Sequence, residues 1–267
     1  MNFVVAFKGE AQPIIHFYKL QKVERSPFPI FQNDQHSLIL SGMGRSNAVS
    51  ATKALHQVTQ KTNLGWLNLG IAGHGSLEVG QAFTAGKVIG DSSDDSYYPP
   101  QIYEHSFRVS ALQTCSEPSS KYEKDLGFDM EAHAFYETAR KFSIRELIQV
   151  IKIVSDNPKQ DYKTVNAKEV PKWIDQHMVE IDQLVTQIDA ESAVIQPDLD
   201  LEKLFTKIQE KHSFSATRLH QLYNVLRHTK ALGIEFRKIE ELISSATDAK
   251  DAIKKANHFL EPHRRII

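Results

Sequence analysis

Short apolar runs bounded by turn residues alternate with longer amphipathic segments through the first two thirds of the chain. The apolar runs predict β-strands, and the segments with helical spacing predict α-helices. The strands are expected at Asn2 to Phe7, Ser37 to Ser41, Leu64 to Leu69, Gln81 to Ile89, Arg108 to Leu112 and Gln149 to Val154. The helices are expected at Ser46 to Lys61, Met130 to Phe142 and Lys168 to Asp189. Such alternation is typical of a layered α/β fold.

The chain changes character after Asp189, where Ser192 to Asp200 reads as a linker containing Pro197. The remainder is polar, and helices are expected at Leu201 to Lys211, Ala216 to Ala231, Phe236 to Ser244 and Ala249 to Leu260. Glycine supports this division, since 11 of the 12 glycines lie at or before Gly127. We therefore predict an α/β domain over residues 1–190 and a helical extension over residues 198–267.

Composition excludes several classes of partner. The 267 residues include 32 Lys and Arg against 33 Asp and Glu, so no global field attracts nucleic acid or an anionic membrane. The helices around Ser213 to Thr217 show no base-reading cluster, which favours a helical hairpin over a DNA-binding motif. No apolar run approaches the roughly 20 residues that span a bilayer, and a single cysteine, Cys115, fits a reducing compartment. We expect a cytoplasmic protein without a membrane or nucleic-acid partner.

Two acidic residues carry most of the functional signal. Asp156 lies just past a predicted buried strand, at the place where open α/β sheets collect functional groups. Glu131 opens a predicted helix. Carboxylates at these two places are expected to face one pocket, which suits a polar and neutral substrate. The residues alone leave open the ordinary alternatives, a carboxylate complementing a helix dipole at Glu131 and a turn-forming aspartate at Asp156.

Several short segments resemble a known family when they are taken in chain order. They are Gly9-Glu10, the run SGMGRSNA at 41–48, the run NLGIAG at 68–73, Val79-Gly80, the run DMEA at 129–132 and the run IVSD at 153–156. Together they resemble the nucleoside phosphorylase and nucleosidase superfamily, and most of all its 5'-methylthioadenosine/S-adenosylhomocysteine nucleosidases. The resemblance covers residues 1–190 and implies a three-layer α/β/α sandwich with a mixed, partly barrel-like central sheet. The helical extension lies outside it.

The resemblance also implies a role for individual residues. Asp156 protonates or hydrogen-bonds N7 of a departing purine, and Ser155 orients it. Glu131 holds the ribose hydroxyls above Met130, and Glu10 deprotonates the attacking water. The other substrate-binding positions that it implies are Arg45, Ala72, Gly73, Cys115 and Ser116.

The chain departs from the phosphorolytic branch at the second glycine turn. Members of that branch bind phosphate there with an arginine and a serine, whereas this chain has Asn68 and Ile71. A phosphate site without a cation is weak, which favours water as the nucleophile, although Arg45 offers a substitute charge. We therefore predict hydrolysis of the N-glycosidic bond of an adenosine-type purine nucleoside, without a metal or organic cofactor. The resemblance also implies a homodimer. The alternatives are a phosphorylase, which is a glycosyltransferase using phosphate, and a non-catalytic relative that binds a nucleoside.

Overall fold

The computed structural model of the 267-residue chain describes residues 1–23, 27–90, 95–119, 121–195 and 199–262. The chain divides into two compact units, residues 1–196 and 197–267. The strands are β1 (Asn2–Val5), β2 (Gln21–Val23), β3 (Ile30–Gln32), β4 (Ser37–Leu40), β5 (Trp66–His74), β6 (Ala82–Ile89), β7 (Ser96–Tyr97), β8 (Arg108–Thr114), β9 (Leu126–Asp129) and β10 (Ile148–Asp156). The helices of the first unit are α1 (Lys8–Phe17), α2 (Arg45–Thr59), α3 (Ala132–Ala139), α4 (Val170–Asp175) and α5 (Met178–Ile195), and short 3-10 helices occur at Arg145–Leu147 and Tyr162–Thr164.

The strands form one mixed sheet whose central part closes into a ring. Parallel pairing joins β4 to β1, β1 to β5 and β5 to β10. From β10 the ring continues through antiparallel β6, then parallel β8 and β9, and it closes where β9 pairs antiparallel with β5 at Gly73 and His74. The antiparallel strands β3 and β2 extend the sheet beyond β4. Because β5 pairs with both β10 and β9, the ends of these three strands lie next to one another.

Helices cover both faces of the sheet because alternate strand residues point in opposite directions. Val4 belongs to the buried cluster that includes Leu55 of α2 and Phe135 of α3. Its neighbour Phe3 belongs to the cluster on the other face, with Ile14 of α1 and residues of α4 and α5. The three-layer α/β/α sandwich with a mixed central sheet is therefore confirmed.

Helix α1 was not predicted, and β1 ends at Val5 rather than at Phe7. The segment contains Gly9 and Pro13, which disfavour a helix interior, and Phe7 at its N-cap offers no capping oxygen. The Glu10 side chain provides the cap instead, since its Oε2 accepts the Phe7 N–H at 2.8 Å. The side chain at the third position of the helix thus caps the N-terminus of that helix. The strands β2, β3, β7 and β9 were also missed.

Other predicted boundaries also differ from those of the structure. The strand expected to end at Leu69 runs on to His74, so the glycines at 70 and 73 lie inside β5 rather than in an exit turn. The helix expected from Lys168 to Asp189 is two helices, because the chain breaks at His177, whose Nε2 lies 2.7 Å from the Gly80 carbonyl. Helix α5 then continues to Ile195, into the predicted linker, of which residues 196–198 lie outside the described part of the chain.

The second unit is a helical bundle with its own core. Its helices are α6 (Leu199–Lys211), α7 (Ala216–Ala231), α8 (Phe236–Ser244) and α9 (Ala249–Leu260), and the bounds agree with the expectation from sequence to within two residues. The core includes Leu201, Leu222, Leu226, Ile239 and Ile253. Asp248 caps α9 by accepting the Lys250 and Asp251 N–H groups. Within the described ranges, no helix combines the length and apolar character needed to cross a membrane.

Replacing Phe135 with Ala should lower the free energy of unfolding of the α/β unit by about 3–5 kcal/mol, because truncating this fully buried ring leaves a cavity. Both tryptophans, Trp66 and Trp173, lie within residues 1–196, so tryptophan fluorescence in a urea titration reports this unit alone. The control is Val194→Ala at a position that is 80% exposed, where we expect a change within about 0.5 kcal/mol. Equal losses for the two variants would contradict the assigned core.

Candidate functional site

A cavity of about 210 Å³ lies where the carboxyl ends of β5, β9 and β10 meet the first turns of α1 and α3. The β4–α2 turn and the segment after β8 complete its wall. The lining residues are Phe7, Glu10, Met43, Ile71, Ala72, Gly73, Cys115, Glu117, Pro118, Ser119, Phe128, Asp129, Met130, Glu131, Ser155, Asp156, Tyr162 and Val165. Eight of the ten site residues predicted from the sequence are among them: Glu10, Ala72, Gly73, Cys115, Met130, Glu131, Ser155 and Asp156.

Arg45 and Ser116 are not among the lining residues. The Arg45 guanidinium lies at the end of β8, where its Nη2 donates to the Thr114 carbonyl at 2.6 Å. Ser116 stands between Cys115 and Glu117, which both line the cavity. Asn68 also has a structural contact, because its side-chain amide donates to the Val4 carbonyl at 3.0 Å.

Glu10 is a buried carboxylate that joins α1 to β5. Its Oε2 accepts the Phe7 N–H, and its Oε1 accepts the Ile71 N–H at 2.8 Å. Burial raises the pKa of Glu10 to about 7, against the opposing effects of these hydrogen bonds and of Lys152. A carboxyl group with a pKa in this range exchanges its proton near neutral pH, which is what a general base requires.

Glu131 lies at the N-cap of α3 and faces the turn between β4 and α2. Its Oε1 accepts the Gly44 N–H at 2.7 Å. Burial and the nearby charge of Asp129 raise the pKa of Glu131, while Lys152 opposes the rise. The prediction that Glu131 opens a helix is confirmed, and the second carboxylate of the cavity is fixed between two elements.

Asp156 ends β10 at an irregularity of the strand. The register with β5 shifts between Val154 and Asp156, so that Asp156 lies opposite Gly73. Consecutive residues of a regular strand point to opposite faces, and a bulge changes that alternation. Ser155 and Asp156 consequently both line the cavity, and the Ser155 hydroxyl donates to Asp156 Oδ1 at 2.5 Å.

A buried ion pair supports the three carboxylates. Lys152 Nζ lies 2.8 Å from Asp129 Oδ2, and the two side chains are 2% and 0% exposed. Burial alone would lower the pKa of Lys152, but the carboxylates of Asp129, Glu131 and Glu10 together raise it. Lys152 is therefore a protonated cation surrounded by acidic groups, although it is not itself one of the lining residues.

Two glycines of β5 make room for two of the carboxylates. A Cβ atom on Gly70 would lie 2.8 Å from Glu10 Oε1, and one on Gly73 would lie 2.5 Å from Asp156 Oδ2. Any larger side chain would displace the carboxylate beside it, so glycine at these positions allows the acids to pack against the strand.

Lys152 and Asp129 were not predicted as site residues. The apolar mouth of the cavity was not predicted either; it is formed by Phe7 and Met43, which are 42% and 50% exposed. A signal for the ion pair was present. Lys152 interrupts the run Val-Ile-Lys-Ile-Val at 150–154, and a lysine inside a buried strand requires an acidic partner. The exposure of Phe7 and Met43 depends on tertiary structure and has no signal in the sequence.

No protein-family model and no curated protein sequence matches the chain. Similar solved structures include 5'-methylthioadenosine/S-adenosylhomocysteine nucleosidases from Neisseria meningitidis, in complex with methylthio-immucillin-A (16% identity, 70% of this chain and 97% of that chain, TM-score 0.55), and from Colwellia psychrerythraea, in complex with adenine (15% identity, 71% and 93%, TM-score 0.54). A futalosine hydrolase mutant of Helicobacter pylori is also similar (12% identity, 70% and 98%, TM-score 0.54). The chain thus shares its fold with these nucleosidases and with the futalosine hydrolase, and this is the fold that the resemblance in its sequence implied.

Replacing Lys152 with Met should lower the free energy of unfolding of the α/β unit by about 3–5 kcal/mol, because it leaves the Asp129 carboxylate buried without its cation. Adding Asp129→Asn to this variant should restore part of the loss, since the uncompensated charge is then removed. Urea titrations followed by tryptophan fluorescence measure both effects. Lys172→Met, which breaks the exposed pair with Glu169, is the matched control, and we expect it to cost less than about 1 kcal/mol.

Proposed function

We propose that the α/β unit hydrolyses the N-glycosidic bond of a purine nucleoside of adenosine type, such as 5'-methylthioadenosine or S-adenosylhomocysteine. The observation that carries the proposal is the convergence of Glu10, Glu131 and Asp156 on one cavity, from three different elements. The neighbours with this fold support it, since two of them are named nucleosidases and were solved with an adenosine analogue or with adenine.

The proposed roles follow the charge that develops as the bond breaks. Cleavage between C1' of the ribose and the purine nitrogen builds positive charge on the sugar and negative charge on the base. Asp156, oriented by Ser155, gives its proton to N7 of the departing base. Glu131 accepts hydrogen bonds from the ribose hydroxyls, and Met130 packs beneath the sugar. Ala72, Gly73 and Cys115 lie along the base. This arrangement stabilises both charges of the transition state.

Glu10 completes the reaction as the general base. It takes a proton from water while the water oxygen forms a bond to C1' of the ribose. The products are free base and free ribose, so the proton taken by Glu10 and the proton given by Asp156 balance over the cycle. Its raised pKa of about 7 suits this step, because the ionised form is available at neutral pH and is still basic.

Electrostatics favour water over phosphate as the nucleophile. The buried carboxylates Glu10, Asp129 and Glu131 outnumber the cation Lys152 in this region, and an excess of negative charge repels an anionic nucleophile. Arg45, the substitute cation for phosphate, instead donates to the Thr114 carbonyl. The phosphorylase is for these reasons the second choice. Homodimeric assembly and a cytoplasmic location stay predictions from the sequence.

The decisive test is a nucleoside panel incubated with and without inorganic phosphate, with both products identified by chromatography. We expect release of free adenine and free ribose or its 5'-thio derivative, at a rate that phosphate does not change. Asp156→Asn should reduce this release by at least about a hundredfold, because the leaving base is no longer protonated. Phosphate-dependent turnover with a sugar 1-phosphate product would establish phosphorolysis. If calorimetry detects binding of an adenosine analogue but no base is released, the protein is a non-catalytic nucleoside-binding protein.

The pH dependence of the activity should follow the ionisation of the Glu10 carboxyl group. We expect kcat/KM to rise as the pH increases through about 7, because the base acts only after it loses its proton. Glu10→Gln should abolish the activity, and Glu78→Gln, at an exposed acid outside the cavity, should leave both the rate and the profile unchanged.

Stability provides a check on Glu10 without any assay of activity. Folding raises its pKa from 4.5 to about 7, so the folded state holds this proton more tightly than the unfolded chain does. The resulting stabilisation is complete below pH 4.5 and is lost as the pH rises through about 7. The free energy of unfolding of the wild type, relative to Glu10→Gln, should therefore fall by about 1–3 kcal/mol across this interval. A constant difference would contradict the raised pKa.

A further inference from the structure

The Asp156 carboxylate is held by a hydroxyl group at each oxygen. Ser155 Oγ donates to Oδ1 at 2.5 Å, and the Tyr122 phenol donates to Oδ2 at 2.6 Å. Ser155 is the preceding residue, whereas Tyr122 comes from the segment that leads into β9, 34 residues away in the chain. Hydrogen bonds of this length to an ionised oxygen belong to the strong, charge-assisted class.

The surroundings of Tyr122 fix its ring in this position. The ring packs edge-on against Phe128, a lining residue of the cavity, with 6.3 Å between the ring centroids. Gly73 also lies against the ring, since a Cβ atom at this position would come within 3.1 Å of the Tyr122 ring. The glycine opposite Asp156 thus admits the carboxylate and the tyrosine together.

Tyr122 can act only as a donor in this pair. Burial, the hydrogen bond to Asp156 and the charge of that carboxylate raise the pKa of Tyr122 above its usual value. The phenol therefore keeps its proton at neutral pH and directs that proton to Oδ2.

We propose that Tyr122 is a positioning residue for the general acid: with Ser155, it orients the Asp156 carboxyl group and stabilises the negative charge that remains when its proton passes to the departing base. This inference rests on the proposed function. In the proposed cycle the Asp156 carboxylate takes up a proton before the glycosidic bond breaks and becomes charged again as that proton passes to the base. Two preorganised donors that stabilise this charge lower the barrier to base departure. The phenol contacts the acid, and its effect on the substrate passes through Asp156.

The kinetic test is Tyr122→Phe, which removes the hydroxyl and keeps the ring. We expect kcat for a purine nucleoside to fall by about tenfold to a hundredfold, with little change in KM, because a hydrogen bond to a charged group is lost in the transition state. Turnover of 4-nitrophenyl riboside should hardly change, because nitrophenolate leaves without a proton. The matched control is Tyr18→Phe, which removes a tyrosine hydroxyl from Asp182 outside the cavity and should affect neither substrate.

Two kinetic results would overturn the inference. An equal loss for both substrates would show that Tyr122 only supports the structure. A higher kcat/KM in Tyr122→Phe would show that the phenol obstructs the base.

A second measurement separates this inference from the proposed function. With ¹³C-labelled tyrosine, NMR follows the titration of Tyr122, identified by the signal that Tyr122→Phe removes. Asp156→Asn should lower the pKa of Tyr122 towards that of an ordinary tyrosine, because the charge that raises it is removed. An unchanged titration would refute the contact even in an active enzyme. Absence of base release from every nucleoside, with the NMR shift present, would instead refute the proposed function.

Discussion

The buried ion pair between Lys152 and Asp129 ties together the elements that surround the candidate site. Asp129 ends β9, and its Oδ2 accepts the Ala132 N–H at the start of α3 as well as contacting Lys152 on β10. Its Oδ1 accepts the hydroxyl of Thr114, which ends β8. One carboxylate thus joins three strands and a helix, and neither partner can be removed without leaving a buried charge unpaired. The acids of the cavity keep their relative positions because these elements do.

Much of the framework was predictable from the sequence because it follows from local pattern. Alternating apolar runs located β1, β4, β6 and β10, and helical spacing located α2 and the helices of the second unit. The predictions failed for elements whose stability depends on contacts with residues distant in the sequence. Helix α1 contains Gly9 and Pro13 and begins because Glu10 binds the backbone of both α1 and β5. The continuation of β5 through its glycines depends on pairing with β10 and β9.

The candidate site likewise contains residues that local sequence pattern predicts and residues whose role depends on distant contacts. Glu131 and Asp156 were predictable because each lies at the end of a regular element, where a side chain can face a cavity, whereas Glu10 was named only through the resemblance to a known family. The residues that pair with these acids or donate hydrogen bonds to them were not predictable. Lys152 carried a weak signal, as a charge in an apolar strand, but the identity of its partner depends on the pairing of β8, β9 and β10. Tyr122 lies in an irregular segment, where pattern gives no indication of direction, and it reaches Asp156 only because position 73 is a glycine.

Strand β5 also sets the spacing between Glu10 and Asp156. Glu10 packs against Gly70 and Asp156 against Gly73, so the proposed base and the proposed acid contact points about 10 Å apart along one extended backbone. A strand cannot stretch or shorten, and the spacing between the two ends of the cavity is therefore independent of the lengths of the loops around it. The segments after β4, β8 and β10 can change in length and composition, and the selectivity of the proposed site can change with them, while the spacing between Glu10 and Asp156 stays the same.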